Sequence, residues 1–216
     1  MAKANKTEKA TVFQNPFLEA LIKSSPGMTA FTYLSIIGIE FLINWYYGFV
    51  TSWQTGVVLY LSGLFFWTFA EYMLHRYVFH WIEDSPIQQK FHYMVHGFHH
   101  KFPIDEDHLF MPPVPGYFLG ALFTGIFYIF MREWAFVFGA GFITGYMIYA
   151  AIHYSTHKFK PPKMLKGLWR HHNMHHFRYP DKAFGVSSPL WDIIFGTMPP
   201  KPERRKKQEA VETASS

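Results

Sequence analysis

Cysteine is absent from the 216-residue chain, so disulfides, iron–sulfur clusters, thiolate zinc sites and cysteine nucleophiles are excluded together. Any bound metal is left to His, Asp or Glu. Charge is scarce too: Asp, Glu, Lys and Arg make up 16% of residues, against 50% hydrophobic and 20% aromatic. That is apolar for a soluble domain of this length. There is no internal repeat of fixed period and no low-complexity block. The little charge present is biased, net +5 with the 13 histidines neutral. Such a bias suits either nucleic acid or the cytoplasmic face of a membrane protein, and the position of the charges decides between them.

Long apolar runs are what the sequence has instead. A spanning helix needs about 20 mostly apolar residues. Four stretches approach this: 28–50 with one charge, Glu40; 55–74 with one, Glu71; and the uncharged pair 113–131 and 134–152, separated by Arg132 and Glu133. They predict two helical hairpins. The first is no signal peptide, because it lies inside the chain and is too long for an h-region. A shallow re-entrant pair is the alternative for segments three and four, and a soluble four-helix bundle would need polar faces at period 3.6, which these stretches lack. Nineteen of the 20 Lys and Arg residues fall in the N-terminal segment, the central loop and the C-terminal region, with Arg132 alone on the other side. The positive-inside rule therefore predicts that both termini and the central loop are cytoplasmic. The expected organisation is a cytosolic segment over 1–27, a membrane and cap domain over 28–200, and a basic mobile tail over 201–216.

Twelve of the 13 histidines lie in two windows, 75–100 and 153–176, directly after the second and fourth apolar stretches. Each window holds a pair and then a triplet: His75 and His80, then His96, His99 and His100; His153 and His157, then His172, His175 and His176. On a helix, positions four apart share a face, so His96 with His100, His153 with His157, and His172 with His176 each converge on one point. His99 and His175 lie on the neighbouring arc. Five-residue spacing turns His75 and His80 roughly 140° apart at 3.6 residues per turn; they either serve different metals or straddle a helix end. Imidazoles gathered at a membrane edge without partners cost on the order of 1–3 kcal/mol each, and metal removes that cost. Ten ligands exceed what one ion accepts, so the spacing predicts two ions in nitrogen ligation, of zinc, copper, iron or nickel alike.

Other residues border this constellation. Glu71, one turn before His75, and Asp192 are candidate acceptors for the second ring nitrogen of a ligating histidine; a charge reaching for the headgroups and a helix or turn cap are their plainer roles. Tyr149 and Tyr146, four and seven residues before His153, are candidates to border a substrate cavity, although an interfacial aromatic belt also explains them. His92, His108 and His171 stand outside the repeated spacing and are expected behind the ligands or at the surface.

In these residues the chain resembles the fatty acid hydroxylase branch of the sterol desaturase superfamily, and within it the fatty acid 2-hydroxylases. The likeness runs from about Glu71 to Thr197 and includes the text around the histidines: Glu71-Tyr72-Met73-Leu74-His75-Arg76, Met111-Pro112-Pro113, and Gly185-Val186-Ser187 through Trp191-Asp192 to Gly196-Thr197. The resemblance implies an all-α integral membrane protein with four transmembrane helices and a cytosolic helical cap, in a bacterial inner membrane or the endoplasmic reticulum. The family's ten metal-binding histidines fall on the ten positions above. Its chemistry implies two iron ions, zinc being possible in purified samples, with O2 as co-substrate and carbon 2 of a fatty acid or sphingolipid-like acyl chain as target. Zinc has no redox chemistry and cannot itself drive a C–H hydroxylation. Some members carry an N-terminal cytochrome b5 domain, for which 27 residues leave no room, and no His-Pro-Gly-Gly haem motif occurs. A separate electron donor, such as cytochrome b5 or ferredoxin, is expected, and nucleic acid is not. Competing functions are a desaturase or a sterol or carotenoid hydroxylase with the same metal cage, and a His-rich metal transporter. Transport predicts ligands within the apolar segments, whereas the histidines here sit at their ends.

Overall fold

The computed structural model describes residues 11–80 and 85–200, and among these every regular element is helical. The expected tail 201–216, with its basic run 204–207, and Lys3, Lys6 and Lys9 lie outside the described residues.

A short helix, α1 (Pro16–Ile22), is capped by Asn15, whose side chain accepts from Phe17 N at 2.9 Å. Helix α2 (Pro26–Tyr47) starts on Ser25 with proline in its first turn, where the missing N–H costs nothing. It stops at Gly48, whose φ of 64° is the left-handed cap that glycine adopts freely. Asn44 then closes the turn by accepting from Val50 N at 3.0 Å, and Ser52 caps α3 (Trp53–Leu74). After the cap segment come α6 (Pro113–Met131) and α7 (Ala135–Lys158), joined by the 3₁₀ turn Arg132–Trp134. The pairs Phe127–Phe138 and Phe123–Phe142 show these two helices folded back on each other. Between α3 and α6 lie α4 (Pro86–His92) and α5 (Phe98–Lys101); α8 (Lys166–Phe177) and α9 (Leu190–Ile194) follow α7.

Among the described residues, three stretches are long and apolar enough to cross a membrane: Pro26–Tyr47, Trp53–Phe79 and Glu106–Lys158, the last containing both α6 and α7. Helices α2 and α6 run in one direction, matched at Tyr33 with Gly116 and Ile36 with Gly120. Helices α3 and α7 run in the other. The end of α3, the end of α7 and the starts of α2 and α6 therefore meet at one end of the bundle, where Ser24 N donates to Asp107 O at 2.8 Å. At the far end Phe49 stacks on Phe136. Outward faces carry Phe31, Leu34, Leu42, Leu61, Phe118 and Ile129, all exposed, the reverse of what a soluble bundle presents to water. Glu40 turns inward and is buried, with the Thr124 hydroxyl donating to it.

The contact that holds α3 to α7 depends on two glycines. A Cβ at Gly63 would lie 2.0 Å from the Phe138 carbonyl oxygen, and one at Gly141 would lie 2.0 Å from that of Tyr60. Small residues let membrane helices approach backbone to backbone, where packing and interhelical hydrogen bonds replace the hydrophobic drive. Tyr60 donates to Thr144 Oγ1 at 2.9 Å across the same seam. Because backbone cannot yield as a side-chain tip can, Gly141→Val is expected to cost about 3 kcal/mol or more. Thermal unfolding of the purified protein in detergent reads this as a lowered Tm. Gly125→Ala, where a Cβ meets nothing within 4 Å, leaves Tm unchanged or higher.

Candidate metal centre

The end of the bundle where α3 and α7 finish carries the histidines. At His75 the α-helix gives way to a π-helical turn, His75–Phe79, closed by His80 N donating to His75 O at 3.1 Å. This i→i+5 bonding widens the turn. It brings residues five apart to one side, so His75 and His80 face the same point across the helix end. A second π-helical turn, Tyr93–Gly97, carries His96 and leads directly into α5 with His99 and His100. Helix α7 supplies His153 and His157 from its last turns, and α8 supplies His172, His175 and His176.

Ten imidazoles resolve into two groups of five. One is His75, His80, His96, His100 and His175; the other is His99, His153, His157, His172 and His176; within each, the candidate ligand nitrogens all lie within 4.8 Å of one another. The pairs spaced by four stay together, as spacing predicts. His99 and His175, on the neighbouring arcs, cross over: each joins the group opposite to its helix neighbours. The rings of His100 and His176 stack at 4.2 Å where the groups meet.

The donor chemistry fits a cation at the centre of each group. His75 Nδ1 donates to Phe184 O at 2.5 Å and His175 Nδ1 to Lys182 O at 2.8 Å. A neutral ring that donates from one nitrogen presents a lone pair at the other. Yet His75 Nε2 faces His96 Nε2 at 2.9 Å, and His175 Nε2 faces those of His80 at 3.0 Å and His100 at 3.2 Å. In the second group His99 Nε2 lies 2.9 Å from that of His153 and 3.1 Å from that of His176, and His157 Nε2 lies 2.8 Å from that of His172. Protons on His96 and His100 could serve His75 and His175, but His96 and His100 also face each other at 2.9 Å, so no placement of protons on neutral rings satisfies every contact, whereas a metal ion does.

Protons do not settle the arrangement. Burial, then repulsion from neighbouring imidazoles, pushes His80 down to about 2 and His100 to about 3, and burial pushes His175 down to about 4. The same causes hold His96, His99, His172 and His176 well below the usual imidazole range. The rings are therefore neutral, the state in which imidazole ligates metal.

Both candidate acids occupy places other than a direct partnership with a ligand-like ring. Glu71 does not take the His75 N–H. It accepts from Val186 N at 2.6 Å, Ser187 N at 2.8 Å and the Ser187 hydroxyl. Asp192, wholly buried, accepts from Phe184 N at 2.9 Å, Gly185 N at 2.8 Å, Thr197 Oγ1 at 2.7 Å and His171 Nε2 at 2.9 Å. Burial opposes its ionisation, but the bonds from His171, Thr197 and Gly185 keep its carboxyl below the usual carboxylate value. Both acids thus anchor segment 182–187, buried over 183–186, whose carbonyls reach His75 and His175. Backbone carbonyls leave no mark in a residue pattern, so the part played by Lys182 and Phe184 could not be read from the sequence.

Tyr149 stacks against His153 at 5.5 Å, and Tyr146 packs against Tyr33 and Trp67 in the aromatic core below the second group. An apolar cavity of about 540 Å³ opens elsewhere, on the outer side of α3, lined by Val58, Leu61, Phe65, Phe66 and Phe138. His171 is buried on Asp192, outside both groups. His92 Nδ1 meets the Phe79 carbonyl. His108 is neither at the surface nor beside the groups: it is buried between Glu19 Oε1 at 2.9 Å and Asp105 Oδ2 at 3.1 Å. It ties the segment before α2 to the loop before α6.

Among the described residues, an all-helical apolar bundle with two five-histidine groups at one end, each able to hold a metal ion, points to a class of membrane-type proteins with histidine-rich sites, and comparison with known proteins narrows the class. Residues 60–197 match the model of the fatty acid hydroxylase family, and the chain belongs to that family. It is 41% identical over 155 residues to the dihydroceramide fatty acyl 2-hydroxylase FAH1 of Arabidopsis thaliana, covering 70% of this chain and 65% of that one. It is 37% identical over 159 residues to the fatty acid 2-hydroxylase of Mus musculus, covering 69% and 42%. The chain thus spans less than two thirds of the length of these curated relatives. A solved structure of full-length scs7p, with only the hydroxylase domain visible, superposes with a TM-score of 0.79 at 32% identity, covering 87% of this chain and 71% of that one.

Burial of neutral rings has a consequence for stability. In the chelator-treated protein, unfolded histidines take up protons near 6.5, whereas the folded rings cited above resist protonation down to about 4 or below. The unfolded state therefore binds more protons across that window, and stability falls as the pH falls. Thermal unfolding of the chelator-treated protein is expected to show Tm dropping steadily from pH 7 to pH 4. A flat profile would contradict burial of the rings.

Proposed function

We propose that the chain is an oxygen-dependent fatty acid 2-hydroxylase whose two five-histidine groups each hold one iron ion. The convergence of ten ring nitrogens into two groups, each compact to 4.8 Å, carries the reading. In the first, the ligands are His75, His80, His96, His100 and His175; in the second, His99, His153, His157, His172 and His176. Zinc fills such nitrogen sites equally well and is the expected contaminant in purified protein. When bound, the iron pair supplies the redox capacity that activates O2. The balanced reaction converts the C2 methylene of an acyl chain, O2, two electrons and two protons into the 2-hydroxy acyl chain and water.

The protein's own residues do the rest. Neutral rings hold the ions at the membrane edge, and the apolar bundle gives the acyl tail a medium that needs no desolvation. Tyr146 and Tyr149 border the approach to the second group from the membrane side. Binding one carbon of a long chain beside the metal pair converts a random encounter into an oriented one. The names of the Arabidopsis and mouse relatives favour an acyl substrate, free or in a ceramide-like lipid, over sterol or carotenoid.

In this reading residues 28–200 form one membrane and cap domain that crosses four times, with α6 and α7 counted separately. Both termini and the histidine groups face the cytoplasm in this reading, which the distribution of Lys and Arg supports. The electrons come from a separate protein such as cytochrome b5 or ferredoxin. The basic cytoplasmic face favours an acidic donor, whose docking weakens with salt.

Lipids of cells with and without the gene test the assignment. Mass spectrometry is expected to find 2-hydroxy acyl chains that depend on the gene; a new double bond or a hydroxylated sterol would replace this reading with another. His96→Ala, His157→Ala and His176→Ala are expected to abolish the product and lower bound metal. Full metal content in these variants would contradict the ligand assignment.

A further inference from the structure

The two histidine groups are built alike at their centres and differently behind them. In the first group, His75 and His175 each donate Nδ1–H to a carbonyl of segment 182–187. That segment is itself fixed from several directions. Glu71 takes the N–H groups of Val186 and Ser187, Asp192 takes those of Phe184 and Gly185, and Ala183 N donates to Thr197 O at 2.9 Å. Ala183 lies at φ 61°, a left-handed conformation that an L side chain adopts only where its surroundings over-determine it. Ala183, Phe184 and Val186 are all buried. In the second group, by contrast, the Nδ1 atoms of His99, His172 and His176 are buried and have no hydrogen-bond partner among the described residues.

A ring tethered through its second nitrogen has its tautomer and its rotation set before any ion arrives, and loss of such tethers typically weakens metal affinity 10–100-fold. We infer that the two metal positions are inequivalent: segment 182–187 locks the ion at His75, His80, His96, His100 and His175, while the ion at His99, His153, His157, His172 and His176 exchanges first. Glu71 and Asp192 act as positioning residues for the first position only. The inference rests on the proposed metal-holding role of the ten histidines.

The test uses full-length protein in detergent, loaded with zinc and exposed to excess EDTA for timed intervals, with metal per chain measured by elemental analysis. Two ions per chain are expected at the start, one lost at least about tenfold faster than the other. His157→Ala should remove the fast phase and keep the slow one. Asp192→Asn should speed the slow phase about tenfold or more without changing the fast one. Ser187→Ala, which keeps both backbone donors to Glu71, is the gentler variant where Asp192→Asn fails to fold; it should shift the slow phase alone. Loss of both ions at one rate from the unaltered protein, or acceleration of the fast phase by either substitution, would overturn the inference. Fewer than two ions at the start would overturn the metal-holding reading itself, a separate and recognisable failure.

Discussion

Nitrogens of neutral histidine rings face one another within hydrogen-bond distance at the membrane edge, and the rest of the molecule is arranged around that constraint. His175 states it most simply. Its Nδ1–H is committed to Lys182 O, so its Nε2 arrives at His80 and His100 with no proton to offer. A proton on His100 could serve His175 and one on His96 could serve His75, but His96 and His100 also face each other at 2.9 Å, so no placement of protons on neutral rings satisfies every contact. The helices beneath, the turns between them and the segment behind serve to keep the rings in place until a cation joins them.

The π-helical turns solve a problem that regular helix cannot. Helix α3 must leave the apolar bundle and still deliver two imidazoles to one point, and five-residue spacing on an α-helix sends them apart. Widening one turn at His75–Phe79 brings them together. The repeat of the device at Tyr93–Gly97, just before His99 and His100, lets one short helix feed both groups. Such irregular turns cost hydrogen-bond geometry and concentrate at functional sites.

Much of the arrangement was legible from residue order alone, for definable reasons. Hydropathy marked the helical stretches because lipid allows few alternatives to apolar helix, but it placed the first two at 28–50 and 55–74, since it does not register the caps Ser25, Gly48 and Ser52 that set the ends of α2 and the start of α3. Spacing by four identified the pairs on α7 and α8 because these are ordinary helices, and it also paired His96 with His100 although His96 sits in the second π-helical turn. It left His75 and His80 undecided because a π turn has no residue signature. It pointed to Glu71 and Asp192 as acceptors but not to what they accept, since their partners are main-chain N–H groups more than a hundred residues from Glu71 and seven or eight from Asp192. His108 looked like an isolated ring because Glu19, which it meets, lies 89 residues away in the segment before the first membrane helix.

The two histidine groups are mechanically linked through shared backbone. His99 and His100 are consecutive residues of α5, and His175 and His176 are consecutive residues of α8, yet each neighbour serves a different group. Four peptide-linked side chains therefore span the gap between the two positions like rungs of a short ladder. The spacing of the two groups is thus tied to the backbones of α5 and α8 as well as to side-chain reach. A shift of either helix is therefore felt by both groups at once, so neither group can be rearranged independently of the other.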